Sequence, residues 1–348
     1  MAQDIITGLS PYPWQMNQWS RLWRQRQRGR LPHALLLFGQ PGLGLNHFAS
    51  FIVQSILCQS IDDRGYACES CTACRQYSQG MHPNFMRVSM LEDKTVIIVD
   101  QVRELAGFLG LTGAGGGTKA IIISPADSMN LNAANSLLKT LEEPTGNTLI
   151  VLVVHHLKRL PATIKSRCQI LGFMKPDKSV GLHWLESRGH KEAVRLLQLA
   201  QGAPCLAESF DNEEAYSRYQ AVIEGILGLL SGKATAFQLR KHWGACAVDE
   251  LVFWSLGLLR DCIRVVSGLP VAYFENSLYF KPLRNLAVLL DFPPLFRAHD
   301  HLVQLGEVLE HPLNKDLMID DVILVWQSIR SRTGSHYGIR TRNSLAGH

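Results

Sequence analysis

Gly39-Gln40-Pro41-Gly42-Leu43-Gly44-Leu45-Asn46 has the outline of a phosphate-binding loop without its two working side chains. The pattern G-x-x-x-x-G-K-[ST] uses its lysine to reach the β/γ-phosphates and its hydroxyl to ligate Mg²⁺. Leu45 stands at the lysine position and Asn46 at the hydroxyl position. The setting is that of a true loop, because an apolar strand, Ala34-Leu35-Leu36-Leu37-Phe38, runs into it and a helical stretch from Asn46 to Leu57 leaves it. Gly39, Gly42 and Gly44 still allow a phosphate to approach the backbone at a helix N-terminus. They are the candidate nucleotide contacts, for weak binding or none. With neither lysine nor hydroxyl, hydrolysis is not expected.

Working outward, strands and helices alternate. The sequence predicts a short strand over Asn84 to Ser89, a helix over Val102 to Leu109 and a buried strand over Lys119 to Ile123, whose apolar run is continuous. In a phosphate-loop fold the last of these strands ends in an acidic pair that holds Mg²⁺ and orients water. Here it ends in Ser124-Pro125, so the second half of the hydrolytic machinery is missing as well. Leu131 to Glu143 reads as an amphipathic helix with Leu131, Ala134, Leu137, Leu138 and Leu141 on one face, stopped by Pro144. Leu149 to Val154 is a further buried strand, and a basic loop with Lys158 and Arg159 leads to Ser166-Arg167-Cys168. Such alternation implies a parallel sheet covered on both faces.

Four of the eight cysteines, Cys58, Cys68, Cys71 and Cys74, form one cluster between the helix after the loop and the next strand. Two overlapping C-x-x-C steps and a thiol upstream can close a tetrahedral S₄ site, which suits structural zinc. Four thiolates would also accept an iron–sulfur cluster, and His82 is a possible substitute for one thiol. The other cysteines, Cys168, Cys205, Cys246 and Cys262, are scattered.

The chain has 348 residues, of which 46% are apolar and 19% charged, as expected of two or three globular domains. A net charge of +5 permits a nucleic-acid partner without requiring one. No apolar run is long enough to span a bilayer, and Met1 to Ile5 does not read as a signal peptide. A cytosolic chain with reduced cysteines is expected. Leu182 to Leu199 is helical by spacing, and beyond Phe210 the pattern is wholly helical. Stripes there include Tyr216, Tyr219, Val222, Ile223, Ile226 and Leu230, then Asp249 to Ser267, Leu295 to Glu310 and Leu317 to Ile329. Arg21, Arg24, Arg26, Arg28 and Arg30, interleaved with Trp19 and Trp23, read as a solvated helix face that could also meet phosphates.

The run Leu137-Leu138-Lys139-Thr140-Leu141-Glu142-Glu143-Pro144, followed by Ser166-Arg167-Cys168, resembles the AAA+ clamp-loader family. The cysteine insert narrows the resemblance to the clamp-loader subunits of bacterial DNA polymerase III. Those are of a hydrolysing gamma/tau type and a non-hydrolysing delta-prime type, and Leu45, Asn46, Ser124 and Pro125 match the second. The resemblance implies an α/β P-loop (AAA+) domain over 1–175 with a zinc-binding insert at 58–74. It further implies a small helical lid domain over 176–211, an all-α collar domain over 212–330 and a disordered tail over 331–348.

It also implies a stator that helps load the sliding clamp onto primed DNA, with gamma/tau and delta subunits as partners and at most indirect contact with clamp and DNA. Arg167, presented by Ser166-Arg167-Cys168, would act as an arginine finger on ATP held by a neighbouring subunit. The lid lacks the γ-phosphate-sensing arginine near Gly202-Ala203-Pro204-Cys205, a third absence in the same direction. Two alternatives remain: an active gamma/tau-type ATPase with an unusual site, and a stand-alone zinc-dependent DNA-binding protein.

Overall fold

The computed structural model describes residues 10–91, 94–110, 117–144, 146–244, 246–309 and 314–329. The expected tail over 331–348 lies outside them. The chain divides into two compact units, 1–211 and 212–348.

In the first unit, helix α1 (Met16–Gln27) precedes strand β1 (Ala34–Phe38). The phosphate-like loop and helix α2 (Leu45–Leu57) follow, then α3 (Thr72–Ser78), β2 (Phe85–Val88) and α4 (Val99–Gly110). Strand β3 (Lys119–Ile123), helix α5 (Leu131–Glu142), strand β4 (Thr148–Val154), the single turn α6 (Ala162–Lys165) and strand β5 (Gln169–Gly172) complete the sheet region. All pairings are parallel, in the order β2-β3-β4-β1-β5, with Leu36 level with Leu152 on one side and Ile170 on the other.

Alternation along the strands sorts the core into two layers. Leu35, Leu37, Ala120, Ile122, Val151 and Val153 face α1 and α2, packing with Trp19, Phe48, Phe51 and Ile52. Leu36, Ile121, Ile123, Ile150 and Leu152 face α4 and α5, packing with Val102, Leu105, Leu137 and Leu141. Both faces are covered, which is why the strands are continuous apolar runs.

Two expectations need correction. Leu131 is 68% exposed and lies outside the buried stripe of α5, formed by Ala133, Ala134, Leu137 and Leu141. At ~100° per residue it falls roughly 100° around the helix from the centre of that stripe. The helical run expected over Leu182 to Leu199 is two helices, α7 (Lys178–Ser187) and α8 (Ala193–Leu199). Gly189, at φ +91, sits in the turn that breaks them, a backbone state L side chains rarely adopt. Together with α9 (Pro204–Ser209), these helices gather Trp184, Leu185, Leu196, Leu197 and Ala207 into their own cluster, against which Tyr12 and Trp14 pack.

The second unit is helical among its described residues: α10 (Glu213–Ser231), α11 (Ala236–Trp243), α12 (Val248–Val266), α13 (Phe280–Leu286), α14 (Phe292–Val308) and α15 (Lys315–Ile329). Its fully buried carboxylate, Asp261, accepts from the Glu275 and Asn276 backbone N–H groups and pairs with Arg264 at 2.7 Å. A buried charge persists only with such partners, and this one pins the irregular segment between α12 and α13. No described helix is long and apolar enough to cross a membrane.

Candidate functional site

The loop over 39–46 has the backbone shape expected of a phosphate cradle. Gly42 and Gly44 have φ of +79 and +75, and Gly44 caps the N-terminus of α2. The side of each glycine where a Cβ would stand, however, is packed by the protein itself. A Cβ on Gly42 would lie 2.3 Å from the Leu206 Cβ, and one on Gly44 would lie 2.4 Å from the Tyr12 ring. The Cys205 N–H donates to the Gly42 carbonyl at 3.0 Å, tying α9 onto the loop.

Beside Tyr12, buried Gln15 donates through Nε2 to the Leu43 and Gly44 carbonyls at 2.9 and 3.0 Å. The Trp14 indole also donates to the Leu43 carbonyl at 3.0 Å. The Tyr12 ring stacks on His47 at 4.2 Å and on Trp14 at 5.0 Å, and meets Trp184 edge-on at 5.3 Å. Burial pushes the Tyr12 hydroxyl and the Cys205 thiol beside it upward, the thiol to about 12, and lowers the His47 pKa. Leu45 is 2% exposed and contributes to the sheet core. The loop therefore keeps its curvature while its glycines serve close packing. Nothing in the spacing of Tyr12, Trp14, Gln15 and Leu206 distinguishes them from ordinary core residues in the sequence.

At the end of β3, where an acidic pair would be needed, the next acid along the chain is Asp127. Its carboxylate accepts from the His156 N–H at 2.7 Å and the His155 N–H at 3.2 Å. It holds the loop after β4, and the His155 ring Nδ1–H in turn donates to the Gly39 carbonyl at 2.9 Å. This carboxylate is a structural brace.

Ser166 and Arg167 follow α6. Arg167 is in an ion pair with Glu142 at 2.5 Å, and its Nη1 donates to the Thr163 carbonyl at 2.9 Å and the Ser166 Oγ at 3.3 Å. Ser166 Oγ donates to the Thr163 carbonyl at 3.0 Å. The guanidinium is thus folded back on its own segment, and Glu142 is a partner that the sequence pattern did not single out for it.

Cys58, Cys68, Cys71 and Cys74 converge, with all four Sγ atoms within 4.8 Å of one another. The Sγ of Cys58 lies 3.6 Å from that of Cys68 and 4.0 Å from that of Cys71. A tetrahedron with ~2.3 Å metal–sulfur bonds has edges of about 3.8 Å, so the set is compatible with a structural zinc site. Backbone N–H groups of Ser60 and Cys68 point at the Cys58 sulfur, and those of Cys71 and Cys74 at the preceding knuckle sulfurs, all at 3.3–3.4 Å. Such donors favour thiolates, and those of Ser70 and Cys71 bring Cys68 down to about 6. His82 is not in the group; its Nδ1 accepts from the Asn84 N–H.

The excursion is also fastened without metal. The Trp19 indole donates to the Arg64 carbonyl, Ser55 Oγ to the Gly65 carbonyl, and Trp23 lies where a Gly65 Cβ would be. Of the arginines on α1 and just after it, Arg26 is drawn into this corner, donating to Ser55 and lying over Trp23, while Arg21, Arg24, Arg28 and Arg30 are exposed.

A family model described as DNA polymerase III, delta subunit, matches residues 14–177. The DNA polymerase III subunit delta-prime of Pseudomonas aeruginosa is 37% identical over 329 residues, covering 91% of this chain and 98% of that protein. The subunit of the same name from Escherichia coli is 32% identical over 329 residues, covering 90% and 94%, and that from Yersinia pestis is 28% identical over 335 residues, covering 93% and 97%. The likeness extends well beyond the sheet region into the helical second unit, and at this identity and coverage the chain belongs to the DNA polymerase III delta-prime family.

Proposed function

We propose that this chain is the non-hydrolysing stator of a bacterial DNA polymerase III clamp loader, an AAA+-type subunit acting in the cytoplasm. It helps place the sliding clamp on primed DNA together with gamma/tau and delta subunits. The observation that carries the reading is the closed phosphate loop in a member of the delta-prime family. Leu206 and Tyr12 pack tightly against Gly42 and Gly44, while Leu45 is core and Asp127 a backbone brace. The same closure argues against an active gamma/tau-type site. In this reading 1–175 is the nucleotide-domain relative, 176–211 its lid and 212–330 the collar. Exposed Phe237 on α11 and Leu317 and Leu324 on α15 are apolar surface suited to a collar interface.

Two chemical roles follow. Cys58, Cys68, Cys71 and Cys74 hold one Zn²⁺ that closes the 58–74 excursion and takes no part in turnover. Arg167, helped by Ser166, reaches ATP bound by the neighbouring subunit and neutralises charge developing on its γ-phosphate. Arginine suits this because its fork stays charged and pairs with phosphate in two places, and fingers of this kind contribute about 10³ to 10⁵ in rate.

The test is reconstitution. The chain alone turns over no ATP above background, and a complex lacking it loads no clamps. Arg167→Ala assembles but slows ATP turnover at the neighbouring site, and Arg167→Lys restores only part. DNA-stimulated hydrolysis by the pure chain would overturn the stator reading. Tight, salt-dependent DNA binding by the chain alone, with clamp loading intact in its absence, would favour a separate zinc-dependent DNA-binding role.

A further inference from the structure

We propose that Glu142 is a positioning residue that parks Arg167, occupying the guanidinium until a phosphate on the neighbouring subunit displaces it. The proposal rests on the trans role of Arg167 above and adds its control. Both terminal nitrogens of Arg167 are engaged within the chain, Nη2 by Glu142 at 2.5 Å and Nη1 by the Thr163 carbonyl and Ser166 Oγ. A phosphate bound in two places needs that same fork, so engagement in trans is an exchange of one anion for another.

The placement of Glu142 is itself informative. It is the last residue of α5, where the helix dipole presents its negative end and disfavours a carboxylate. Lys139, one turn earlier, has the sign that position favours. The carboxylate at 142 is thus electrostatically out of place on its own helix and offset by Arg167 on the next segment. The two side chains are 49% and 35% exposed, so water screens the pair and keeps it weak enough to break. A buried pair would hold the arginine permanently, and an unpaired arginine would be free to seek other anions. A half-exposed pair gives a fork that is occupied yet exchangeable with a multiply charged phosphate.

The consequence is a split between apparent affinity and rate. Glu142 competes with ATP-bound phosphate before the transition state and is gone once Arg167 has moved. Removing its charge therefore lowers the ATP concentration needed for half-maximal turnover and leaves the maximal rate alone. The expected drop in KM is roughly two- to fivefold, the range within reach of a partly exposed ion pair.

The experiment uses the complete reconstituted loader on primed DNA, with only the subunit facing Arg167 retaining an intact P-loop lysine, so that ATP turnover reports one site. Glu142→Gln, which keeps shape and loses charge, should lower KM with kcat unchanged. In an Arg167→Ala background Glu142→Gln should do nothing further, because the group it restrains is absent. Three results overturn the proposal. Wild-type KM in Glu142→Gln, alongside a large loss in Arg167→Ala, means the pair is incidental while the trans role stands. A fall in kcat for Glu142→Gln means that Glu142 orients Arg167 for reaction rather than restraining it. Normal turnover in Arg167→Ala removes the trans role and the restraint with it.

Discussion

Helix α2 has the phosphate-like loop at its N-terminal end and Cys58 at its C-terminal end, so one thirteen-residue helix borders two ligand-binding patterns with opposite outcomes. At the first end the side chains that would hold a ligand are replaced, and Leu206, Tyr12 and Gln15 fill the room that Gly42 and Gly44 leave. At the second, four thiols and the backbone N–H groups aimed at them remain arranged around a common centre. Glycines that admit a ligand also admit a neighbouring side chain, so the loop retains its shape for packing reasons. Thiols at this spacing have no comparable second use. A converging S₄ set with backbone donors is therefore stronger evidence for a ligand than a glycine pattern is.

The comparison breaks most forcefully if the loop can be reawakened. Leu45→Lys combined with Asn46→Thr restores both missing letters, yet we expect no ATP binding by a fluorescent nucleotide titration. The new ammonium would enter a core position where Leu45 is 2% exposed, losing apolar contacts and water together. An unpaired charge in such a place costs about 3 kcal/mol or more, which a denaturant midpoint will register. Micromolar ATP binding at unchanged stability would mean that the closure is superficial and that the two letters alone were lacking.

A smaller effect separates the two ends by glycine. Gly42→Ala puts a Cβ 2.3 Å from Leu206 and strains a φ of +79, so about 2–4 kcal/mol of stability should go. Gly65→Ala, at φ +83 in the cysteine excursion, meets the Trp23 ring at 2.4 Å. Trp23 is only half-buried and can swing aside, so the loss there should be nearer 1–2 kcal/mol, mostly from the backbone. Thermal unfolding of the two variants side by side gives the order. Equal losses would remove the distinction between a loop locked in the core and one fastened at the surface.

What the sequence made legible follows the same physics. The short apolar runs over Lys119–Ile123 and Leu149–Val154 read as strands covered on both faces, and they lie in β3 and β4. The cysteine set was readable because metal geometry imposes short, regular spacings. The contacts that close the loop were not readable, since Tyr12, Gln15 and Leu206 are brought there by tertiary packing across long sequence separations. The pairing of Glu142 with Arg167 was hidden for the same reason, although both residues lie in the segments that carry the family resemblance. Periodicity also overreached between Leu182 and Leu199, because the apolar spacing continues through the turn that Gly189 makes.

The gentlest test removes the metal and asks how far the disturbance spreads. Elemental analysis of reduced protein should find one zinc per chain, and a strong chelator or Cys71→Ser should bring that to zero. Zinc binding is worth ~10–16 kcal/mol in small peptides whose folding depends on it. Here Trp19, Trp23 and Ser55 hold residues 64–66 independently of the thiols, so much of the excursion should stay docked. Hydrogen exchange should quicken over 58–74 and remain slow in β1, β3 and β4. Thiol alkylation near pH 8 gives a second readout. Freed of metal, Cys68, whose backbone donors hold it near 6, reacts early. Burial raises Cys168 to about 11 and Cys205 to about 12, so both stay protonated and slow while the sheet is folded. Because those folded values exceed the ordinary thiol value of 9.0, their contribution to stability is full below pH 9 and declines as pH rises through 11 to 12. Early labelling of Cys205 after mild chelation would show that losing the metal at one end of α2 opens the closed loop at the other, and the two ends would have to be treated as one coupled unit.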